Sequence, residues 1–179
     1  MYPYVATPDD DCVFTNKLPA LQRLRYYPFS KAAKLVVVSY KWAVNRDNLA
    51  GATTPDSVYF SDLHVENGKL NYTSLIEIKT LNVEQIAELT NIIYNTDYKH
   101  NHKRNGATPG HNCYSPRNAI IFYDKTGKIY DYLEICFECQ KTTSLSEKIT
   151  IGTNCTQKLD LMRNFLISAG IKYGTTKID

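Results

Sequence analysis

Apolar and polar residues alternate along several short stretches of the chain, and this pattern predicts a series of β-strands. The clearest strand is residues 34–42, which are rich in β-branched and aromatic side chains and long enough to lie in the interior of a sheet. Residues 57–65 and 69–73 are predicted as two strands joined across residues 66–68, where an Asn-Gly pair tolerates the positive φ of a tight turn. Residues 75–81 are interpreted as a further strand.

A hairpin made of residues 117–123 and 129–137 is the most regular predicted feature of the C-terminal half. It turns at residues 124–128, where Gly127 supplies the left-handed backbone conformation that such a turn requires. A turn centred on Thr126 fixes the register, and extending that register outward places Cys113 opposite Cys139, within a few ångströms. Pro116 cannot donate a ladder hydrogen bond, so the placement holds to about one residue. The opposed pairs are Tyr123 with Ile129, Ile121 with Asp131, and Ala119 with Leu133.

Two helices are predicted, at about residues 83–94 and 156–169. Asn82 can cap the first helix, and Gln85 completes a capping-box pattern. Gly170 ends the second helix. Because strands outnumber helices and do not alternate with them, we expect an α+β fold with a mainly antiparallel sheet and these two principal helices packed on it. The predicted buried stripes are Ile86, Leu89, Ile92 and Ile93 in the first helix, and Leu159, Met162, Phe165 and Leu166 in the second.

The length of 179 residues fits a single domain, residues 1–179. Residues 1–30 are punctuated by Pro and Asp and are predicted as an irregular arm with a short helix near residues 18–24. Residues 95–112 are predicted as a long polar loop. The longest apolar run, residues 35–38, is too short to span a bilayer. The first residues carry no signal-peptide pattern, so we expect a cytoplasmic protein on the chain as given, with an exported mature form as the alternative.

Composition narrows the classes of function. Hydrophobic residues make up 43% and charged residues 22% of the chain, as in ordinary globular proteins. The net charge of +3 argues against a general nucleic-acid binder. The chain has 14 Tyr against 6 Phe and 1 Trp, and tyrosine supplies contact area at protein interfaces. The same excess also fits the codon bias of an AT-rich genome.

Five cysteines leave at least one thiol free unless that thiol pairs with another chain. Cys136 and Cys139 have CxxC spacing, but strand alternation places Cys136 on the face of Tyr132 and Glu134, and Cys139 on the opposite face. Two thiols on opposite faces cannot bind one ion or each other without a local bend. A structural cysteine pair is therefore favoured over a redox or zinc role.

The candidate metal and thiol residues include others outside the CxxC pair. His and Cys are the ligand types that zinc prefers, so a zinc site drawn from His102, His111, Cys113 and Cys139 is one interpretation. The alternative is that these histidines are solvent-exposed loop residues that bind no metal. Cys155 precedes the last predicted helix, whose dipole lowers the pKa of a thiol at that end. It is the best candidate for a reactive thiol, with Cys136 as a possible partner; the alternative is a buried structural cysteine.

The stretch Cys113-Tyr-Ser-Pro-Arg117, with the hairpin and the ending Ile135-Cys-Phe-Glu-Cys139, resembles a group of small uncharacterised bacterial proteins. Those proteins carry a Cys-Tyr-x-Pro-Arg-His stretch, a hairpin and an Ile-x-x-Cys ending. The resemblance covers roughly residues 111–170 and implies a shared constellation of Cys113, Arg117, Cys136 and Cys139. Asn118 stands here in place of the group's His, which argues against a catalytic role that depends on that His.

The sequence carries no Gly-rich phosphate loop, nucleophile elbow or zincin motif, which argues against the common enzyme classes. We therefore predict a non-catalytic domain that binds a protein partner, for example an immunity-type inhibitor, and we predict no cofactor. The predicted binding residues are Arg117, Tyr114, Tyr132 and Glu134. Arg117 either holds an anionic group or pairs with a carboxylate such as Glu134. The alternative is a thiol-redox or zinc-site protein that uses Cys113, Cys136, Cys139 and Cys155.

Overall fold

The computed structural model describes residues 11–41, 63–99 and 114–175, and the fold below refers to these residues. They form short and long strands, one short helix, two principal helices and a single 3-10 turn at Phe29–Lys31. The strands are β1 (Cys12–Phe14), β2 (Lys34–Tyr40), β3 (Val65–Glu66), β4 (Lys69–Leu70), β5 (Leu75–Thr80), β6 (Thr96–Tyr98), β7 (Asn118–Tyr123), β8 (Ile129–Cys136) and β9 (Lys141–Ser144). The helices are α1 (Ala20–Arg23), α2 (Val83–Asn95) and α3 (Lys158–Ser168).

A five-stranded antiparallel sheet with the order β5-β2-β7-β8-β9 is the centre of the fold. Strand β2 lies between β5 and β7, which confirms the prediction of an interior strand, and its residues 35–40 are all buried. Together with α2 and α3, this sheet confirms the predicted α+β class with two principal helices. Strand β9 was not predicted, because its sequence Lys-Thr-Thr-Ser has no apolar alternation.

Both faces of the sheet are covered by apolar side chains. On one face, α2 and α3 pack with alternate residues of the strands, including Val37 of β2 and Ile120 of β7. The predicted stripes of both helices lie in or against this cluster. On the other face, Val38 and Ile121 pack with Leu63 and Leu70, which come from the segment around the β3–β4 hairpin. That hairpin turns at Asn67 and Gly68, which have φ values of 51° and 73°, as their sequence predicts.

The register of the β7–β8 hairpin is correct at its turn and shifted by one residue beyond it. Tyr123 lies opposite Ile129, as predicted. An irregularity between Phe122 and Tyr123 then moves the remaining pairs, so that Ile121 faces Tyr132 instead of Asp131. Ala119 correspondingly faces Glu134, where Leu133 was expected. Strand β8 ends at Cys136, and residues 137–140 form a turn in which Gln140 has a positive φ of 51°.

Helix α2 has the predicted capping box, since Asn82 and Gln85 each bind the other's backbone N–H. Its other end is capped from a distance by Lys158, the first residue of α3. The Lys158 side chain is completely buried, and its Nζ donates to the carbonyl oxygens of Ile92 at 2.8 Å and Ile93 at 2.9 Å. A cation therefore meets the negative end of the α2 dipole inside the protein.

The described part of the predicted N-terminal arm, from residue 11, contains regular elements. Strand β1 pairs antiparallel with β6, and α1 confirms the short helix predicted near residues 18–24. Strand β6 also corrects the prediction that residue 95 begins a long polar loop, because Thr96–Tyr98 is a strand. Three-residue strands carry too little alternation to be recognised in a sequence. Within the described residues, no helix has the length and apolarity needed to cross a bilayer.

Candidate functional site

A disulfide joins Cys12 in β1 to Cys155, just before α3, with their Cα atoms 5.2 Å apart. Cys155 is therefore the buried structural cysteine of the two alternatives, and the suggested pairing with Cys136 is not formed. Gln157 reinforces the junction, because its Oε1 accepts the backbone N–H of Cys12 at 2.8 Å. Sequence reasoning missed this pair because the two cysteines are 143 residues apart and only the fold brings them together.

The two cysteines of the CxxC sequence are in different chemical states. Cys139 is part of a disulfide, whereas Cys136 is a free thiol that is only 1% exposed. They are consequently not bonded to each other. Cys113, which the hairpin register predicts opposite Cys139, lies outside the described residues.

A zinc site remains a prediction. His102 and His111 lie outside the described residues, as Cys113 does. Among the described residues, candidate ligand atoms of Asp11, Cys12 and Cys155 lie within 4.8 Å of one another. Two of those atoms are the sulfurs of the disulfide, and thiolates are what zinc binds. Metal binding at this group would therefore require reduction of the disulfide.

Three of the predicted site residues, Tyr114, Glu134 and Cys136, lie together on the sheet face opposite the helices. Glu134 is 7% exposed, and its Oε1 accepts the hydroxyl of Tyr40 at 2.6 Å and the backbone N–H of Leu63 at 3.3 Å. Burial raises the pKa of Tyr114, and the nearby charges of Glu134 and Cys136 raise it further. Tyr40, which sequence reasoning did not select, thus completes a buried polar cluster.

The other predicted binding residues also make contacts within the chain. Arg117 forms an ion pair with Glu138, not with Glu134, because Glu138 lies in the turn after β8. Tyr132 is half-buried and packs against the apolar cluster on the face of Glu134. Asn118 is fully buried, and its Nδ2 donates to the carbonyl oxygen of Tyr173 at 2.9 Å. Asn118 therefore holds the segment that follows α3.

The large number of tyrosines suggested a tyrosine-rich surface, but the described tyrosines do not form one. Of the eleven within the described residues, only Tyr26, Tyr72 and Tyr173 are exposed. Others use the hydroxyl inside the protein: Tyr27 donates to the fully buried carboxylate of Asp131, which also accepts the hydroxyl of a serine. The hydroxyls of Tyr40, Tyr94 and Tyr130 likewise donate to acceptors inside the protein, which is how large aromatic side chains with a polar end are accommodated in a core.

An open hollow with a volume of about 460 Å³ lies beside α1. It combines apolar side chains that face solvent with a cation. Leu21 is 78% exposed and Tyr26 is 41% exposed, and Arg25 is also exposed. The remaining lining residues are Pro19 and Gln22. The hollow thus combines exposed apolar side chains with a cation at the surface of the described fold.

A buried arginine fixes the position of α1, which forms the hollow. Arg23 of α1 is 7% exposed and donates to the carbonyl oxygens of Leu18 at 2.7 Å and Ala87 at 3.1 Å, and to the hydroxyl of Thr90 at 3.2 Å. Burial lowers the pKa of Arg23. Because these bonds tie α1 to α2, Leu21 and Arg25 are displayed from a fixed position.

The uneven distribution of charged residues along the sequence is a signal for the surface around α1, and sequence reasoning missed it. Residues 13–41 contain six Lys and Arg residues and no Asp or Glu. Within the described part of the chain, Arg25 makes no ion pair. Arg25 is thus a cation beside the hollow with no carboxylate partner among the described residues, although the net charge of the whole chain is only +3.

The fold and its surface define the class of protein: an α+β protein whose N-terminal strand is joined by a disulfide to the start of its last helix, with an open basic and apolar hollow on α1. Comparison of the chain with family models, curated proteins and solved structures finds no match. The resemblance to small bacterial proteins over residues 111–170 stays a prediction.

Proposed function

We propose that the protein is a non-catalytic interaction domain that binds a protein partner through the hollow on α1. The observation that carries this proposal is the exposure of Leu21 and Tyr26 beside the unpaired guanidinium of Arg25. Leaving a large apolar side chain in water forgoes about 1.5–3 kcal/mol of burial energy, so a partner that covers it gains affinity. An inhibitor of the immunity type is one form that such a domain takes.

The charge of the surface indicates the chemistry of the partner segment. An apolar side chain can fill the hollow, and a neighbouring carboxylate can accept a bidentate hydrogen bond from Arg25. The exposed Arg25 and the absence of carboxylates in residues 13–41 favour an acidic segment over a basic one. The exposed Glu84 and Glu88 of α2 form no ion pair among the described residues, so neither neutralises Arg25.

A matched pair of peptide panels tests this proposal. Each synthetic peptide has one Leu, Phe or Trp flanked by Glu residues in the first panel and by Lys residues in the second. Each is titrated into the isotope-labelled protein and followed by NMR. We expect shifts confined to residues 19–26 with the acidic panel, and at least ten-fold weaker binding for Leu21→Asp and Arg25→Glu. The control is Leu145→Asp, because Leu145 is 55% exposed and does not line the hollow. Equal affinity for the acidic and basic panels contradicts the proposal, and so does binding that is unchanged in Leu21→Asp.

A zinc or thiol-redox function is the second candidate, supported by the closeness of the Asp11, Cys12 and Cys155 ligand atoms. It requires that the reduced chain binds metal. Native mass spectrometry of the reduced protein with zinc tests this, and Cys12→Ser is the matched variant. One bound zinc that Cys12→Ser removes supports the site, and a metal-free mass in excess zinc contradicts it.

A further inference from the structure

Strand β5 is one edge of the five-stranded sheet, and the described residues place no strand on its outer side. The backbone N–H of Leu81 donates to Leu35 of β2 at 3.0 Å, and the register is regular from residue 80 back to residue 77. Because antiparallel strands alternate the direction of their backbone groups, Ile78 and Thr80 point theirs away from β2. Within the described residues, these outward groups have no partner. An edge of this kind is ready to pair with another strand.

The side chains along this edge are apolar and exposed. Ile76 is 40% exposed and Ile78 is 42% exposed, and Tyr72, just before the strand, is 65% exposed. Ile78 lies beside the fully buried Val38 of β2, so this edge continues the apolar cluster of that sheet face into solvent. A strand added here would cover apolar surface as well as backbone groups.

The sequence of β5 is complementary to itself in one antiparallel register. In a dimer formed through β5, residues whose backbone groups point away from β2 must lie opposite residues of the same kind in the other copy. This requirement leaves only a few two-fold symmetric registers near the middle of the strand. A two-fold axis through Ile78 places Glu77 opposite Lys79 of the other copy, twice. Within the chain, the Glu77 carboxylate already accepts the hydroxyl of Ser39 and the backbone N–H groups of Lys172 and Tyr173, so its contribution across the axis is the attraction of its charge to Lys79. An axis through Glu77 opposes two carboxylates, and an axis through Lys79 opposes two ammonium groups. Opposite charges across an antiparallel pair stabilise it, and like charges destabilise it.

We propose that β5 pairs antiparallel with β5 of a second copy of this chain, with Ile78 on the two-fold axis. The two five-stranded sheets then form one continuous sheet. Ile78 exchanges both backbone hydrogen bonds with its symmetry mate, and Ile76, at the irregular end of the strand, lies opposite Thr80. This dimer is independent of the hollow on α1, so either proposal can fail without the other.

Cysteine cross-linking tests the register. In a Cys136→Ser background, Ile78→Cys places two thiols on residues whose Cα atoms are about 5.5 Å apart, within disulfide reach. Ile76→Cys places them four residues out of register, about 14 Å apart. We expect a covalent dimer with Ile78→Cys in oxidised glutathione. We expect none with Ile76→Cys or with the control Val83→Cys, whose site is 76% exposed and lies outside β5. Equal cross-linking at all three positions overturns the proposal.

The unmodified protein provides the second measurement. Sedimentation equilibrium is expected to give twice the chain mass of 20.4 kDa at high concentration. Ile78→Lys and Lys79→Glu each put like charges opposite one another and are expected to raise the dissociation constant at least ten-fold, whereas Val83→Lys leaves it unchanged. A monomer at every concentration up to about 0.5 mM, or a dimer indifferent to both β5 variants, overturns the proposal.

Discussion

The buried ammonium group of Lys158 makes the stability of this protein depend on pH in an unusual direction. Burial lowers the pKa of Lys158 from 10.5 to about 8, although its Nζ donates to the carbonyl oxygens of Ile92 and Ile93. The desolvation of the charge thus outweighs the bonds that favour it. A shift of this size costs the folded protein roughly 3 kcal/mol as long as the group stays charged.

The direction in which the free energy of unfolding changes with pH follows from comparing proton binding in the folded and unfolded chains. Between pH 8 and 10.5 the unfolded chain keeps the Lys158 proton while the folded protein releases it, so the free energy of unfolding rises with pH in this window. The cost is fully present below pH 8. Integration from pH 8 to pH 10 gives a gain of about 2 kcal/mol. Tyr94 acts in the opposite sense above pH 10, because burial raises its pKa to about 12.

Lys158→Met isolates this effect, since the methionine variant keeps the tyrosines and loses the titrating group. Both proteins are unfolded with urea at several pH values from 7 to 10, in a Cys136→Ser background that prevents thiol–disulfide exchange. We expect the stability of the Lys158 protein relative to the methionine variant to rise by about 2 kcal/mol from pH 8 to pH 10. A difference that stays flat across this range, or that falls, refutes the reasoning.

Two further predictions concern the disulfide and the buried carboxylate. Replacing both Cys12 and Cys155 by Ser is expected to lower the free energy of unfolding by up to about 5 kcal/mol, because the bond closes a very long loop in the unfolded chain; urea unfolding measures the loss. Tyr40→Phe removes the hydroxyl that donates to Glu134 and is expected to cost about 1.5–3 kcal/mol by the same assay.

Each of these changes has a matched control. For the disulfide, the wild-type protein and the double serine variant should have equal stability once both are fully reduced; a gap that persists under reduction would place the effect elsewhere. For the hydroxyl, Tyr72→Phe alters a side chain that is 65% exposed and should leave stability within about 0.5 kcal/mol. An equal loss in Tyr40→Phe and Tyr72→Phe would show that the bond to Glu134 is not its source.

The features that follow from neighbouring residues could be predicted from the sequence. The capping box of α2 and its apolar stripe depend on residues within one helix. The hairpin turn depends on neighbouring residues too: Gly127 has a positive φ, and Asp124 accepts the backbone N–H groups of Thr126 and Lys128. The register beyond that turn could not be predicted, because the irregularity between Phe122 and Tyr123 has no signature in the turn residues. Strand β9 was missed for a similar reason: its place beside β8 comes from the sheet and not from its own sequence.

The candidate site was harder to predict than the fold because it depends on contacts between distant segments. Tyr114, Glu134 and Cys136 were selected from the sequence for separate roles, and they lie near one another because all three belong to or flank one hairpin. Tyr40 comes from another strand, and its hydrogen bond to Glu134 spans 94 positions. The pairing of Cys12 with Cys155 likewise depends on β1 crossing to β6, which no local pattern indicates.

The Cys12–Cys155 bond also determines how the fold carries a mechanical load. A pull exerted on the chain before Cys12 and after Cys155 passes through the covalent bond and bypasses all the residues between these two cysteines, which are 143 positions apart. Every strand of the central sheet lies within that stretch and bears no tension. Only α3 and the segment after it lie outside. The resistance of the described fold to such a pull therefore depends on one 11-residue helix and the side chains that bury it, not on the five strands.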